Sequence, residues 1–236
     1  MRYLNIALFI YLIMSYAHAG VSIDGTRIIF PSQSKSVNVQ LSNADDKPAL
    51  VQTWIDIGDP KTIPHADQVP FVLNSTLTQV EAKKAQIVRI LALETAKLPQ
   101  DRESVYWFNM LDITPEDPAL KENNHLSVSL RTRIKLFYRP HQLAISPVLA
   151  QQSVQFNYDQ STQTVKMHNP TPYYITVVQV ESGQNQAFAS AENAIMLAPF
   201  TSTPLKDFKL DATSQHIAYE VLNDLGAIQS YQTKIQ

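Results

Sequence analysis

Leu126-Ser127-Val128-Ser129-Leu130-Arg131-Thr132-Arg133-Ile134-Lys135-Leu136-Phe137-Tyr138 alternates two kinds of side chain almost without a break. Its even positions read Leu, Val, Leu, Thr, Ile, Leu, Tyr, and its odd positions Ser, Ser, Arg, Arg, Lys, Phe. A period of two is that of a β-strand, whose successive side chains point to opposite faces of a sheet. A typical strand has about 5–6 residues, whereas this run would reach roughly 40 Å. Two readings fit it. One is a half-buried strand with a solvated basic face. The other is an edge strand whose apolar row is kept for a partner's groove, because an open edge invites pairing by another chain.

The rest of the chain supplies a matching context. Apolar alternation recurs in Val37–Leu41, Ala49–Ile57, Ile87–Leu93 and Val105–Ile113, with Val105-Tyr106-Trp107-Phe108 reading as a strand buried on both faces. Turn chemistry separates these runs at Asn43-Ala44-Asp45-Asp46, Gly58-Asp59-Pro60 and Pro115-Glu116-Asp117-Pro118. Pro140 interrupts the pattern, and His141–Gln152 predicts a linker with a helical turn. Strands resume at Val154–Tyr158, Thr164–His168, Tyr173–Val180, Ala194–Leu197, His216–Leu222 and Ala227–Thr233. Short strands without intervening helical periods predict antiparallel sandwiches. The expected organisation is two β-sandwich domains, at 20–140 and 141–236, with no repeat between them.

Residues 1–19 are set apart from that fold. Arg2, the apolar run Leu4–Tyr16 and Ala17-His18-Ala19 have the form of an export signal cleaved after Ala19. The run is too short for a membrane anchor, since thirteen helical residues reach only roughly 20 Å of a core about 30 Å thick. The expected product is an exported, soluble protein with no stable membrane insertion.

Composition closes several classes of function. The 236 residues are 44% hydrophobic and 17% charged, which suits a folded chain rather than a disordered one. A net charge of −2 without a basic cluster gives no footprint for nucleic acid. There is no cysteine, so disulfides, a thiol nucleophile and thiolate metal sites are all excluded. The glycines at 20, 25, 58, 183 and 226 are scattered and form no phosphate loop or nucleophile elbow. The histidines at 18, 65, 125, 141, 168 and 216 lack metal-ligand spacing, and Glu116-Asp117 between prolines reads as a polar loop. No enzyme, metal or cofactor is expected.

Five strings carry a resemblance. They are Gly25-Thr26-Arg27-Ile28-Ile29-Phe30-Pro31, Val51-Gln52-Thr53-Trp54-Ile55-Asp56, Leu98-Pro99-Gln100-Asp101-Arg102-Glu103-Ser104, Arg133-Ile134-Lys135-Leu136-Phe137-Tyr138-Arg139-Pro140 and Leu222-Asn223-Asp224-Leu225-Gly226. In this order, and across nearly the whole chain after residue 19, the sequence resembles the periplasmic pilus-assembly chaperones of the chaperone–usher pathway. The resemblance implies an all-β protein of two immunoglobulin-like β-sandwich domains in a boomerang arrangement. It implies a periplasmic protein that stabilises pilus (fimbrial) subunits by lending them a strand and delivers them to an outer-membrane usher.

Residue by residue, it makes Leu126, Val128 and Leu130 the donor-strand side chains. Arg27 and Lys135 become the pair that anchors a subunit's C-terminal carboxylate, where two cations converge on one anion. Glu103, Arg139 and Asp224 become a buried charge network that sets the angle between domains. Without the resemblance, each of these five would read as an ordinary strand or surface charge. Two family features are missing: Phe71-Val72-Leu73 runs into Asn74-Ser75-Thr76 instead of Pro-Pro, and Ala82-Lys83-Lys84 stands where a glycine is usual. The short loop before Leu126 and the absence of cysteine resemble the short-loop subclass, which serves rod-like pili. The exposed strand leaves self-association of the free protein open. Two rivals stay open on sequence: an exported module of the same fold that binds or adheres to another ligand, and a hydrolase with an unseen site.

Overall fold

The computed structural model describes residues 20–62, 64–65, 68–113, 128–183, 185–187, 194–206, 208–211 and 214–236. The expected export signal, Leu126 and the Pro115–Pro118 turn lie outside them. Alternating burial builds a first sandwich. One sheet holds β1 (Val21–Ile23), β3 (Ser36–Asn43), β5 (Phe71–Leu73) and β7 (Ala85–Ala92), in the order β1-β3-β7-β5. The facing sheet holds β2 (Arg27–Pro31), β4 (Ala49–Asp56), β6 (Leu77–Val80), β8 (Ser104–Ile113) and β9 (Arg131–Arg139), in the order β2-β9-β8-β4-β6. Phe30, Leu41, Val51, Val88, Ile90, Phe108, Met110 and Leu136 meet between them in one core.

A second core lies between the sheets that follow α1 (Pro147–Gln152). One contains β10 (Gln155–Asp159), β11 (Thr164–His168) and β15 (Ser202–Pro204). The other contains β12 (Ile175–Ser182), β13 (Asn185–Ala187), β14 (Ile195–Leu197), β16 (His216–Leu222) and β17 (Ile228–Lys234). Phe156, Met167, Val177, Leu197 and Tyr219 fill that core. Pro147 at the start of α1 and the Ser146 side chain, which accepts from the Leu149 N–H, fix where the helix begins. The protein is therefore all-β, with two immunoglobulin-like sandwiches.

Three expectations need correction. The sandwich is not wholly antiparallel, because β2 pairs with β9 in parallel, from Arg27 opposite Lys135 to Pro31 opposite Arg139. The long strand starts at Arg131 rather than Leu126, and Val128–Leu130 precede it outside any strand. Nor is Val105–Phe108 buried on both faces. Tyr106 and Phe108 enter the core, while Trp107 faces the other side, only partly covered.

The missing family glycine has a visible replacement. Lys83 takes φ 57°, a left-handed conformation that costs an L-residue roughly 1–2 kcal/mol. Its N–H donates to the Asp45 carbonyl (3.1 Å), and its Nζ to the Ala44 carbonyl (2.6 Å) and toward Asp46 (3.1 Å). These side-chain contacts are largely exposed and stabilise little. Lys83→Gly is therefore expected to raise the urea midpoint, by about 1 kcal/mol of unfolding free energy at unchanged slope. Lys83→Val should lower it.

Candidate functional site at the junction of the two sandwiches

The parallel pairing of β2 with β9 determines what the junction contains. It sets Arg27 directly beside Lys135, on the face of the sheet that looks toward the second sandwich. From there the Arg27 Nη1 donates to the Leu222 carbonyl (3.3 Å) and the Lys135 Nζ to the Thr176 hydroxyl (3.4 Å). Thr176 and Leu222 are themselves a cross-strand pair of β12 and β16. Two neighbouring cations of one domain thus meet two neighbouring residues of the other. Among the described residues the buried Arg27 Nε has no hydrogen-bond partner, so this side chain keeps an unused donor. It borders a small cavity of about 10 Å³ shared with Glu103, Arg139, Tyr173 and Asp224.

Electrostatics make this pair receptive to an anion. Burial pushes the Lys135 pKa down, and the adjacent Arg27 charge pushes it the same way. Burial also lowers Arg27, partly offset by Asp224 and Glu103. A carboxylate arriving between the two would replace like-charge repulsion with charge-assisted hydrogen bonds.

Beside the pair lies a second cluster of charges. Arg139 donates from Nε to Glu103 (2.6 Å), and from Nη1 and Nη2 to both oxygens of Asp224 (2.6 and 2.8 Å). Its guanidinium also lies over the Tyr173 ring, 5.1 Å from the centroid. Glu103 accepts the Tyr174 N–H (2.8 Å), and the Glu103 N–H donates to the Pro172 carbonyl (2.9 Å). Burial works against the charge on Arg139, but Asp224 and Glu103 outweigh it and raise its pKa. Phe137, on the polar side of its strand, packs on Tyr174 with ring centroids 5.8 Å apart. Gly226 (φ 79°) completes the hairpin that carries Asp224. A Cβ there would come within 2.3 Å of the Thr26 hydroxyl, so a side chain would be strained where this hairpin touches the residue before β2.

β9 is only partly an edge. β2 covers its outer side from Lys135 onward, so among the described residues Arg131 to Ile134 pair with β8 and with no second strand. Just upstream, Val128 and Leu130 are 68% and 61% exposed. The structure thus brings Arg27 to Lys135 and joins Glu103, Arg139 and Asp224, while Leu126 lies outside the described residues. Sequence reasoning missed Thr176, Phe137 and the Leu222 carbonyl. A threonine, an aromatic and a backbone oxygen carry no signal of their own, and only the register between domains selects them. Among the described residues no group of His, Asp or Glu is placed to hold a metal, and no helix is long and apolar enough to cross a membrane.

Known proteins share this frame. Residues 20–144 match the N-terminal domain of the PapD pili and flagellar-assembly chaperones, and residues 149–233 match the C-terminal domain of the PapD pili-assembly chaperones. The chaperone protein HifB of Haemophilus influenzae is 39% identical over 216 residues, covering 90% of this chain and 87% of its own. The probable fimbrial chaperone YadV of Escherichia coli is 37% identical, covering 88% and 87%. The crystal structure of the Pseudomonas aeruginosa CupB2 chaperone superimposes with a TM-score of 0.75 at 32% identity, over 91% of this chain and 100% of that one. The chain belongs to the PapD-like pilus-assembly chaperones, a non-enzymatic periplasmic family.

The Arg139 cluster yields a test of its energetics. Arg139→Ala strands the Glu103 carboxylate in a buried site and is expected to cost about 3–5 kcal/mol in urea unfolding. Glu103→Gln in that background should recover part of the loss, because it removes the unpaired charge.

Proposed function

We propose that the protein binds and stabilises pilus subunits by donor-strand complementation and delivers them to an outer-membrane usher. The observation that carries this reading is the half-covered β9. Its C-terminal half is fixed between β2 and β8, while its N-terminal approach presents exposed Val128 and Leu130. A subunit that lacks a strand would gain a main-chain ladder from this edge and would bury the apolar row in its open core. Full burial of a Val or Leu side chain contributes about 1.5–3 kcal/mol, so two of them matter at the scale of a binding constant. Leu126 would extend the same row.

In this reading Arg27 and Lys135 anchor the subunit's terminal carboxylate and so set the register of the donated strand. Glu103, Arg139 and Asp224 hold the two domains, 20–140 and 141–236, at the angle that keeps the anchor accessible. The chain reaches the periplasm by export with cleavage after Ala19. The short loop before Leu126 and the lack of cysteine support the subclass that serves rod-like pili.

Lys135→Ala is expected to abolish co-purification of subunits from periplasmic extract while leaving the circular dichroism spectrum unchanged. Normal capture by that variant would sink the anchoring role. Val128→Asp should weaken capture at least tenfold, roughly the effect of 1.4 kcal/mol or more. Because Val128 is exposed, its thermal midpoint should match that of the wild type.

A further inference from the structure

We propose that two arginine–tryptophan stacks, locked onto a buried aspartate, hold the open half of β9 extended in the free protein, so that the strand meets its partner already ordered. This rests on the reading of β9 as a lent strand. Arg131 to Ile134 are bonded to β8 on one side and lie upstream of the residues β2 covers. A strand bonded on one side at the margin of a sheet is the kind of segment that opens locally. Fixing a backbone residue costs about 1–2 kcal/mol, and a loose segment would incur that cost at the moment of binding.

The odd-numbered side chains of this half act against such loosening. Arg133 donates from Nε and Nη2 to the two oxygens of Asp56 (2.9 and 2.6 Å), and from Nη2 to the Gly58 carbonyl (3.1 Å). Its guanidinium lies 4.6 Å from the centroid of Trp107. One step along the strand, Arg131 lies 4.8 Å from the centroid of Trp54. It donates from Nε and Nη2 to the Asn109 side-chain oxygen (3.1 and 2.7 Å), and from Nη1 to the Pro60 carbonyl. Asn109 closes the set by donating to Asp56 (2.8 Å), and the Gly58 N–H donates to the same carboxylate (2.8 Å).

Asp56 and Asn109 are 1% and 0% exposed, so the ladder is anchored inside the sheet's own face. Burial alone would raise the Asp56 pKa, but the hydrogen bonds from Arg133, Asn109 and Gly58 bring it below the ordinary aspartate value, which keeps the anchor charged. Arg131 uses Nε, Nη1 and Nη2 within the protein. That distinguishes it from Arg27, whose Nε remains unbonded, and argues for positioning rather than ligand capture. Planar guanidiniums suit the task, since they bind a carboxylate through two donors while stacking on a ring.

The stacks also supply their own reporter, because Trp54 and Trp107 are the chain's two tryptophans. The test uses the purified full-length chaperone with Asp56→Asn, and with Arg131→Gln combined with Arg133→Gln. In the free protein, the β8-bonded amides within Arg131–Ile134 should exchange with deuterium about tenfold faster. Those in Leu136–Arg139 should stay as in the wild type, and tryptophan emission should shift as the rings lose their cover. Arg133→Lys, which keeps the charge but not the planar fork, should restore protection only in part. With the subunit that co-purifies with the wild type, purified and added back, the association rate should fall about tenfold and the dissociation rate much less. Unchanged exchange at Arg131–Ile134, or an equal loss at Leu136–Arg139, overturns the proposal. A wild-type protein that holds no subunit would instead overturn strand donation, and the exchange data would still decide whether the ladder orders the edge.

Discussion

The five-residue parallel pairing of β2 with β9 is the constraint from which the site follows. Had β2 run the length of β9, no edge would be open; had it been absent, the whole strand would be a liability for indiscriminate pairing. Stopping at Arg27 opposite Lys135 does two things at once. It ends the covered region, and it leaves two cations side by side at the boundary. The position where the strand becomes available is therefore also the position where the proposed carboxylate anchor stands.

Charge is distributed around that boundary by degree of satisfaction. Arg139 is saturated by Glu103, Asp224 and the Tyr173 ring, and it fastens one domain to the other. Arg131 and Arg133 are turned inward onto Asp56, Asn109 and the two indoles. Arg27 and Lys135 are the incompletely satisfied members: partly desolvated, mutually repelling, and among the described residues bonded to a carbonyl and a hydroxyl at the long end of the range. The basic residues of one sheet thus divide into structural and receptive sets through their partners, with no difference in formal charge.

Much of this was legible in the sequence, and the gaps have physical causes. Thr164–His168 and His216–Leu222 read as strands with the limits the structure has, because period-two alternation is local information. The three- and four-residue strands β5, β6, β13 and β15 are too short to show a period. The partner of β9 could not be read, since strand order depends on contacts more than a hundred residues apart in the chain. The arginines at 131 and 133 read as a solvated face because their ring and carboxylate partners lie on other strands, β4 and β8, which alternation within one strand does not reveal. The significance of Arg27, Lys135, Glu103, Arg139 and Asp224 came from the company of recurring strings. No composition or spacing rule would have singled them out.

The Lys135 hydrogen bond to Thr176 crosses from one sandwich to the other. The ammonium that would receive an incoming carboxylate is thus also a tie between domains. On the proposed anchoring role, an anion that drew it away from the hydroxyl would loosen this tie. By thermodynamic reciprocity, flexing of the junction would then change the affinity for that anion by the same factor. If Lys135 anchors cargo as proposed, cargo occupancy and interdomain posture become a single linked variable, which a second protein could read or reset without touching the strand itself.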